Sequence, residues 1–384
     1  FDPQQETLPD ILPALDRALA EHGQVLLIGQ ADPDSGKAFG VPPEVINRLA
    51  ESGRFQLVIN EADGSRMRPF KAPAAHEPVI PACTTLVSPV VGLDVLGRPL
   101  NSESVHRPEL VAQLSGTPPE QPITAETVAA VLCHPQGGLK NVPPAARIVP
   151  VINKVDGPSD LPPARDLAQH LLACPRIDAV VLAAARQADS PAREVHHRTA
   201  AVVLAAGGSS RFGSPKQLAP WQGRTFLEQV VQTALDAAIG PVIVVLGAEV
   251  EQCRRLLAGL PVQVVVNPRW AEGQSTSMQA GLEALPAGTG GAVFLLVDQP
   301  AVQADTVRRV VQAHRETLAP VVWPEYQGRR GNPVLFDRSL FPALRQIRGD
   351  TGGRPLLQAH AAQAARVPVE DRGVVLDFDT PEAL

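Results

Sequence analysis

The chain has 384 residues, of which 44% are hydrophobic and 19% charged, a globular balance with length enough for two domains. Its formal net charge of -6 speaks against a nucleic-acid partner, since phosphate backbones are met by clustered Lys and Arg. No apolar run approaches the roughly 20 residues of a membrane span. The four cysteines, Cys83, Cys133, Cys174 and Cys253, form no CxxC pair, so neither a zinc site nor a disulfide framework is indicated and a reducing, cytoplasmic setting is expected. The opening Phe1 in place of Met is what a processed or truncated chain would show.

Apolar runs of strand length alternate with amphipathic stretches, the pattern of βαβ units with buried parallel strands. In chain order the predicted strands are 24–28, 55–60, 85–91, 147–153 and 178–184, then 201–205, 242–246, 262–267, 292–297, 320–323 and 374–378. Both halves therefore read as α/β. Residues 186–199 are polar, contain Pro191 and lack an apolar period, so they are expected to be a linker, with domains at 1–197 and 198–384.

The chemistry concentrates after strand 201–205. Gly207 and Gly208 allow close backbone approach, Ser209 and Ser210 add hydroxyls, and a following helix would present free N–H groups, making an anion cradle. Arg211 and Lys216 add positive charge suited to a triphosphate and its departing pyrophosphate. Strand 292–297 ends in Asp298, a carboxylate at the sheet edge where open α/β folds bind ligands and where Mg²⁺ finds hard oxygen ligands. The last predicted strand ends in Asp377 and Asp379, on one face by alternation, and either could complete a metal site.

The string LAAGGSSRFGSPKQL from Leu204 to Leu218, with EGQSTSMQAGL, DQP, GNPVLF, GDTGGR and DFDTPEAL following in order, resembles the molybdenum cofactor cytidylyltransferase branch of the MobA-like nucleotidyltransferases over residues 200–384. The resemblance implies a Rossmann-like sheet that binds a nucleoside triphosphate with Mg²⁺ and transfers a nucleotide to the terminal phosphate of molybdopterin. By motif position, Leu204, Ala205, Ala206, Gly207, Gly208, Ser209, Arg211 and Lys216 would hold the nucleotide phosphates, and Ser277 would lie near base or ribose. Cytidylyl members resemble LAAG where guanylyl members resemble LAGG, so Ala206 implies CTP.

In-line transfer asks for positioning, charge neutralisation and leaving-group stabilisation, not for a general base. His314 and His360 are accordingly read as packed or solvated helix residues, Cys253 as buried, and Trp221, Trp270 and Trp323 as packing residues before stacking platforms. The glycines beside Arg354 in GDTGGR suit either a turn or an anion clamp.

In the first half, Asn153-Lys154-Val155-Asp156 follows a strand, where an NKxD tetrad can bind guanine through its Asp and pack its Lys stem on the base. Glu61-Ala62-Asp63-Gly64 follows strand 55–60 and resembles the acidic strand end that holds Mg²⁺ in phosphate-loop NTPases. The string from Gly29 to Lys37 is two residues too long for a phosphate loop, and Ala38 stands where a Ser or Thr should follow. The segments INEADGSRMRPFKAPAAHEPVIP, VVGLDVLGRPL, VHRPEL and GGLKNVPPAARIVPVINKVD are similar to the YqeC-type accessory proteins of selenium-dependent molybdenum hydroxylases over residues 8–185. His76, Glu77, His106 and Arg107 match that pattern, but its glycine-rich GKT loop is missing from this chain. The N-terminal half is thus expected to be an incomplete phosphate-loop-NTPase-like parallel sheet, truncated or without hydrolysis, that could bind GTP or ATP and serve a molybdenum hydroxylase client. Two rivals stand beside the cytidylyltransferase reading: nucleotidyl transfer from another triphosphate or to another acceptor, and a nucleotide-dependent factor for cofactor insertion.

Overall fold

The computed structural model describes residues 8–32, 37–208 and 214–378. The chain divides into two compact units, one of residues 1–177 and 183–189, the other of 178–182 and 190–384. No helix among the described residues is long and apolar enough to cross a membrane.

In the first unit, α1 (Leu8–His22) buries Leu8, Ile11 and Leu15, spaced to share one helix face, together with Leu49 of α2 (Pro43–Glu51). Helix α4 (Ala125–Leu132) starts at a capping box, Thr124 accepting from the Thr127 N–H, and α3 (Pro108–Ser115) and α5 (Leu161–Leu172) complete the helical set. The strands are short. An antiparallel pair joins β1 (Ala31–Asp32) to β2 (Lys37–Ala38). Parallel pairs join β3 (Phe70–Lys71) to β6 (Val105–His106), β4 (Leu86–Val87) to β7 (Arg147–Ile148), and β5 (Val90–Gly92) to β8 (Val151–Asn153).

The expected strands 85–91 and 147–153 are thus each broken into two pieces. Residues 24–28 and 55–60 form no strand at all, and Leu26, Leu57 and Ile59 are 86%, 74% and 84% exposed. An apolar run becomes a strand only where a neighbour supplies a ladder, and among the described residues neither segment belongs to a sheet.

The second unit is a three-layer sandwich. After β9 (Ala179–Ala183), the long β10 (Ala192–Ala205) lies between β13 (Val242–Leu246) and β15 (Thr289–Leu296), parallel to both, with β14 (Val262–Val266) parallel to β13. Beyond β15 come antiparallel β18 (Val334–Asp337) and β16 (Val321–Tyr326), which carries β17 (Arg329–Arg330) and β19 (Ala365–Pro368). Ala201, Val203 and Ala205 face a core shared with α6 (Phe226–Ala237) and α9 (Ala304–Thr317). The alternate residues Val202 and Leu204 face a second core with α8 (Gln274–Glu283), α10 (Phe341–Leu344) and α11 (Arg354–Ala359). A Cβ at Gly281 of α8 would lie 2.5 Å from Val202 Cγ1, so the glycine sets how closely helix and sheet approach. The hairpin of β11 (Pro220–Trp221) and β12 (Arg224–Thr225) precedes α6, and α7 (Val250–Leu256) follows β13.

Three expectations change. The polar residues 192–199 belong to β10 rather than to a linker; Glu194 is buried by pairing with His196 at 2.7 Å and accepting from Gln312 at 2.7 Å, which an apolar-period reading cannot register. Residues 374–378 are not a strand: a 3-10 turn at Arg372–Val375 intervenes because the Asp371 carboxylate accepts from the Gly373 N–H. Strands β11, β12, β17, β18 and β19, of two to four residues each, were not expected.

Candidate functional site

Leu204 and Ala205 end β10, and Ala206 follows them; all three are buried, while Gly207 and Gly208 are exposed. The Leu204 carbonyl accepts from the Val297 N–H at 3.2 Å and the Ala206 carbonyl from the Ala248 N–H at 3.0 Å, fixing the loop base to the strand ends on both sides. Ser209 and Arg211 lie outside the described residues, as does Asp379. Among the described residues, Lys216–Leu218 is a single 3-10 turn, and the first α-helix after the loop, α6, begins at Phe226, after the hairpin.

Lys216 reaches the other strand end. Its Nζ lies 3.4 Å from Asp298 Oδ2, with both side chains mostly buried. The Phe378 N–H donates to the Asp298 carbonyl at 3.1 Å, and Gln299 Nε2 donates to Asp377 Oδ1 at 2.6 Å. Phe378 is itself buried against Trp221, at 4.8 Å between ring centroids, and Phe226, at 5.8 Å, so the segment bearing Asp377 is anchored beside Asp298. Lys216 and Asp298 therefore meet at one edge of the sheet, and the segment bearing Asp377 is bonded to Asp298 and Gln299 there. Asp298 and Asp377 supply hard carboxylate oxygens of the kind that suits a divalent cation of the Mg²⁺ type, which keeps several waters and takes one or two carboxylates plus phosphate oxygens.

Ser277 sits in the first turns of α8, buried, and accepts from Asn267 Nδ2 at 3.1 Å; the same amide donates to Thr276 Oγ1 at 2.8 Å. Asn267 is buried, and its N–H donates to the Leu246 carbonyl at 2.7 Å, one strand over from β10. Trp270 closes the gap between these parts: a Cβ at Gly208 would lie 2.8 Å from its ring, and one at Gly247 2.6 Å from its Cβ. Trp270 thus borders the loop, whereas Trp323 is buried with its Nε1 donating to Glu325 at 3.2 Å.

The GDTGGR segment packs onto the start of α8. Asp350 Oδ1 accepts from the Gln274 N–H at 3.1 Å, the Gly349 carbonyl accepts from the Ser275 N–H at 3.3 Å, and Gly273, at φ +117°, has no room for a Cβ against Gly349. His314 is buried and bonded to Asp337 at 3.1 Å, away from these groups. Burial pushes the Cys253 thiol up to about 11, as for an inert core residue.

In the first unit, Asn153 Oδ1 accepts from the Ala185 N–H at 3.1 Å, and Lys154, at φ +65°, pairs with Asp94 at 2.9 Å. Asp156 is followed by a turn in which Asp160 Oδ2 accepts from the N–H groups of Asp156 and Gly157. A second cluster joins Glu77, held bidentately by Arg107 at 2.7 and 2.9 Å, to Lys71, which also pairs with Asp63 at 3.0 Å. The Arg107 guanidinium, with Lys71 beside it and against the effect of burial, holds the Glu77 carboxyl at about 2. Burial, with the cations Arg107, Arg66 and Lys71 nearby, pushes His106 below its ordinary value. His76 is 79% exposed and 3.6 Å from Glu77.

Gln217, Asn267 and Gln299 had no role in the sequence reading. Asn267 ends a predicted strand, the same signal that marked Asp298, while the partners of Gln217 and Gln299 are legible only in three dimensions.

Residues 201–365 match the family described as "MobA-like NTP transferase domain", and residues 7–109 match the family "YqeC protein". The chain is 39% identical over 121 residues to YqeC of Escherichia coli (strain K12), covering 32% of this chain and only 47% of that protein. It is 33% identical over 192 residues to nicotine blue oxidoreductase of Paenarthrobacter nicotinovorans, covering 48% of this chain and 93% of that protein. To the molybdenum cofactor cytidylyltransferase of Escherichia coli (strain K12) it is 27% identical over 183 residues, covering 47% of this chain and 91% of that protein.

Proposed function

The chain belongs to the MobA-like NTP transferase family, with a YqeC region N-terminal to that domain, and from this premise we propose that its C-terminal half transfers CMP from CTP to the terminal phosphate of molybdopterin. The observation that carries the proposal is the meeting of the glycine loop, Lys216 and Asp298 at the carboxyl end of β10 and β15, with Asp377 oriented beside them.

The loop from Leu204 to Ser209 cradles the triphosphate with its N–H groups, and Arg211 and Lys216 offset charge on the α-phosphate and on departing pyrophosphate. Asp298 would hold Mg²⁺, with Asp377 or Asp379 as the second carboxylate; when bound, the cation neutralises phosphate charge and aligns the leaving group. The attacking phosphate oxygen is already a nucleophile, so the residues act by in-line positioning and need abstract no proton. Ser277, fixed by Asn267, faces base or ribose in this reading, and Ala206 in LAAG favours CTP. The 33% identity to a protein named an oxidoreductase is the main competing signal; the carboxylate and ammonium pair beside a glycine loop suits phosphate chemistry better than redox chemistry.

For the N-terminal half, taken as residues 1–197, we propose binding of GTP or ATP through Asn153, Lys154 and Asp156, in the service of a molybdenum hydroxylase client. Its support is the ordered strand end, where Asn153 fixes the Ala185 backbone and Lys154 adopts a left-handed conformation. The reading includes a reducing, cytoplasmic setting, supported by four cysteines that form no CxxC pair. Mass spectrometry of a reaction with molybdopterin, Mg²⁺ and an equimolar mixture of CTP, GTP and ATP tests the transferase proposal. A product bearing CMP alone is expected; a GMP or AMP adduct, or none, would reject it.

A further inference from the structure

Gln217 follows Lys216 and is 1% exposed. Its Nε2 donates to the Ala205 carbonyl at 2.9 Å and to the Gly207 carbonyl at 2.7 Å. Both neighbours are acceptors, so the amide nitrogen must face them. The other end of the amide, Oε1, is buried without a hydrogen-bond partner, so the side chain gives up one interaction to make these two.

The consequence lies in the peptide planes. A trans peptide sets its N–H antiparallel to its C=O. With the Gly207 carbonyl turned onto Gln217, the Gly208 N–H points away from Gln217, and Gly208 is exposed. The intervening Ala206 carbonyl turns instead to the Ala248 N–H at 3.0 Å, which fixes the preceding Ala206–Gly207 peptide as well. Gly207 has open space around it and Gly208 is confined on one side by Trp270, so neither glycine by itself selects this orientation. The clamp does.

We infer that Gln217 is a positioning residue of the phosphate loop: its amide holds the Ala205 and Gly207 carbonyls away from the ligand, so that the Gly208 N–H is preset to receive a phosphate oxygen. This rests on the proposed nucleotide-binding role of the loop but not on the identity of the base or acceptor. A carboxylate at this position would repel the two carbonyls, and an apolar side chain would let the Gly207–Gly208 peptide rotate and present a carbonyl to the phosphate.

The test is calorimetric titration of the full chain with tripolyphosphate and Mg²⁺, a phosphate-only probe, alongside titration with CTP and, by ligand-observed magnetic resonance, with cytidine. Gln217→Met, similar in shape but without a donor, is expected to weaken tripolyphosphate and CTP about tenfold, the loss of one charge-assisted bond, with cytidine binding unchanged. Gln217→Glu should weaken the phosphate ligands further. Thermal melting shows whether each variant is folded, and the inference is judged on whichever variant melts as the wild type does. Equal tripolyphosphate affinity in wild type and folded variant overturns it, as does a parallel loss of cytidine, which would mark a general structural role. Failure of the wild type to bind tripolyphosphate overturns it too. Wild-type binding of tripolyphosphate but not of CTP would sink only the cytidylyl reading.

Discussion

Asp298 and Gln299 are neighbours in the chain with different burdens: one faces Lys216, the other turns inward to orient Asp377. If Asp298 supplies a metal ligand, Asp298→Asn removes its charge at constant shape and should lower kcat by on the order of 10²–10³-fold, while the melting temperature stays near that of the wild type. A parallel fall in stability would assign Asp298 to the fold instead. Asn267 is the opposite case. Asn267→Ala strips donors from buried Thr276 and Ser277 and should cost about 1–3 kcal/mol of stability, measured by urea denaturation, and raise KM for CTP. Asp298 and Lys216 were legible in the sequence because chemistry and strand-end position coincide in one short string. Gln299 was not, since its partner Asp377 is 78 residues away and an amide donor carries no motif of its own.

Among elements, the junction of α8 with the glycine-rich segment 349–353 is the most sharply constrained. Gly273 combines φ +117° with backbone atoms of Gly349 and Asp350 at 2.5–2.7 Å from where a Cβ would stand. Gly273→Ala should therefore push that segment off the helix start, lowering the melting temperature and raising KM for CTP together. On the far side of the sheet, Asp337 ties β18 to α9. Burial alone would raise its pKa, but hydrogen bonds from His314 and Ser339 outweigh it and hold the carboxyl at about 2. A folded-state pKa below the unfolded value contributes stability that is complete above pH 4 and is lost as pH falls from about 4 towards 2. Urea midpoints measured across that range should fall in the wild type and fall less in Asp337→Asn; identical slopes would remove Asp337 from the account. The element pattern of the second unit was readable because its central strands are continuous apolar runs buried on both faces. The start of β10 was missed because Glu194 and His196 satisfy each other's polarity, so burial there leaves no apolar trace.

At the scale of the molecule, the two halves differ in how much of each the sequence disclosed. Residues 24–28 and 55–60 have strand composition, yet Leu26 and Ile59 are solvated and among the described residues neither segment joins a sheet; composition names a preference, and only a partner strand realises it. The second unit contains both of its cores and every described residue proposed for nucleotidyl transfer. A fragment of residues 178–384 is therefore expected to fold cooperatively in thermal melts and to keep the transferase activity, and loss of the fold in that fragment would contradict its independence. The central claim is nucleotidyl transfer at the edge where β10 and β15 end, and pyrophosphate release tests it most directly. With CTP, Mg²⁺ and molybdopterin the full chain should release pyrophosphate, and Asp298→Ala should not; failure to release pyrophosphate from any triphosphate, or undiminished release by Asp298→Ala, would contradict the account.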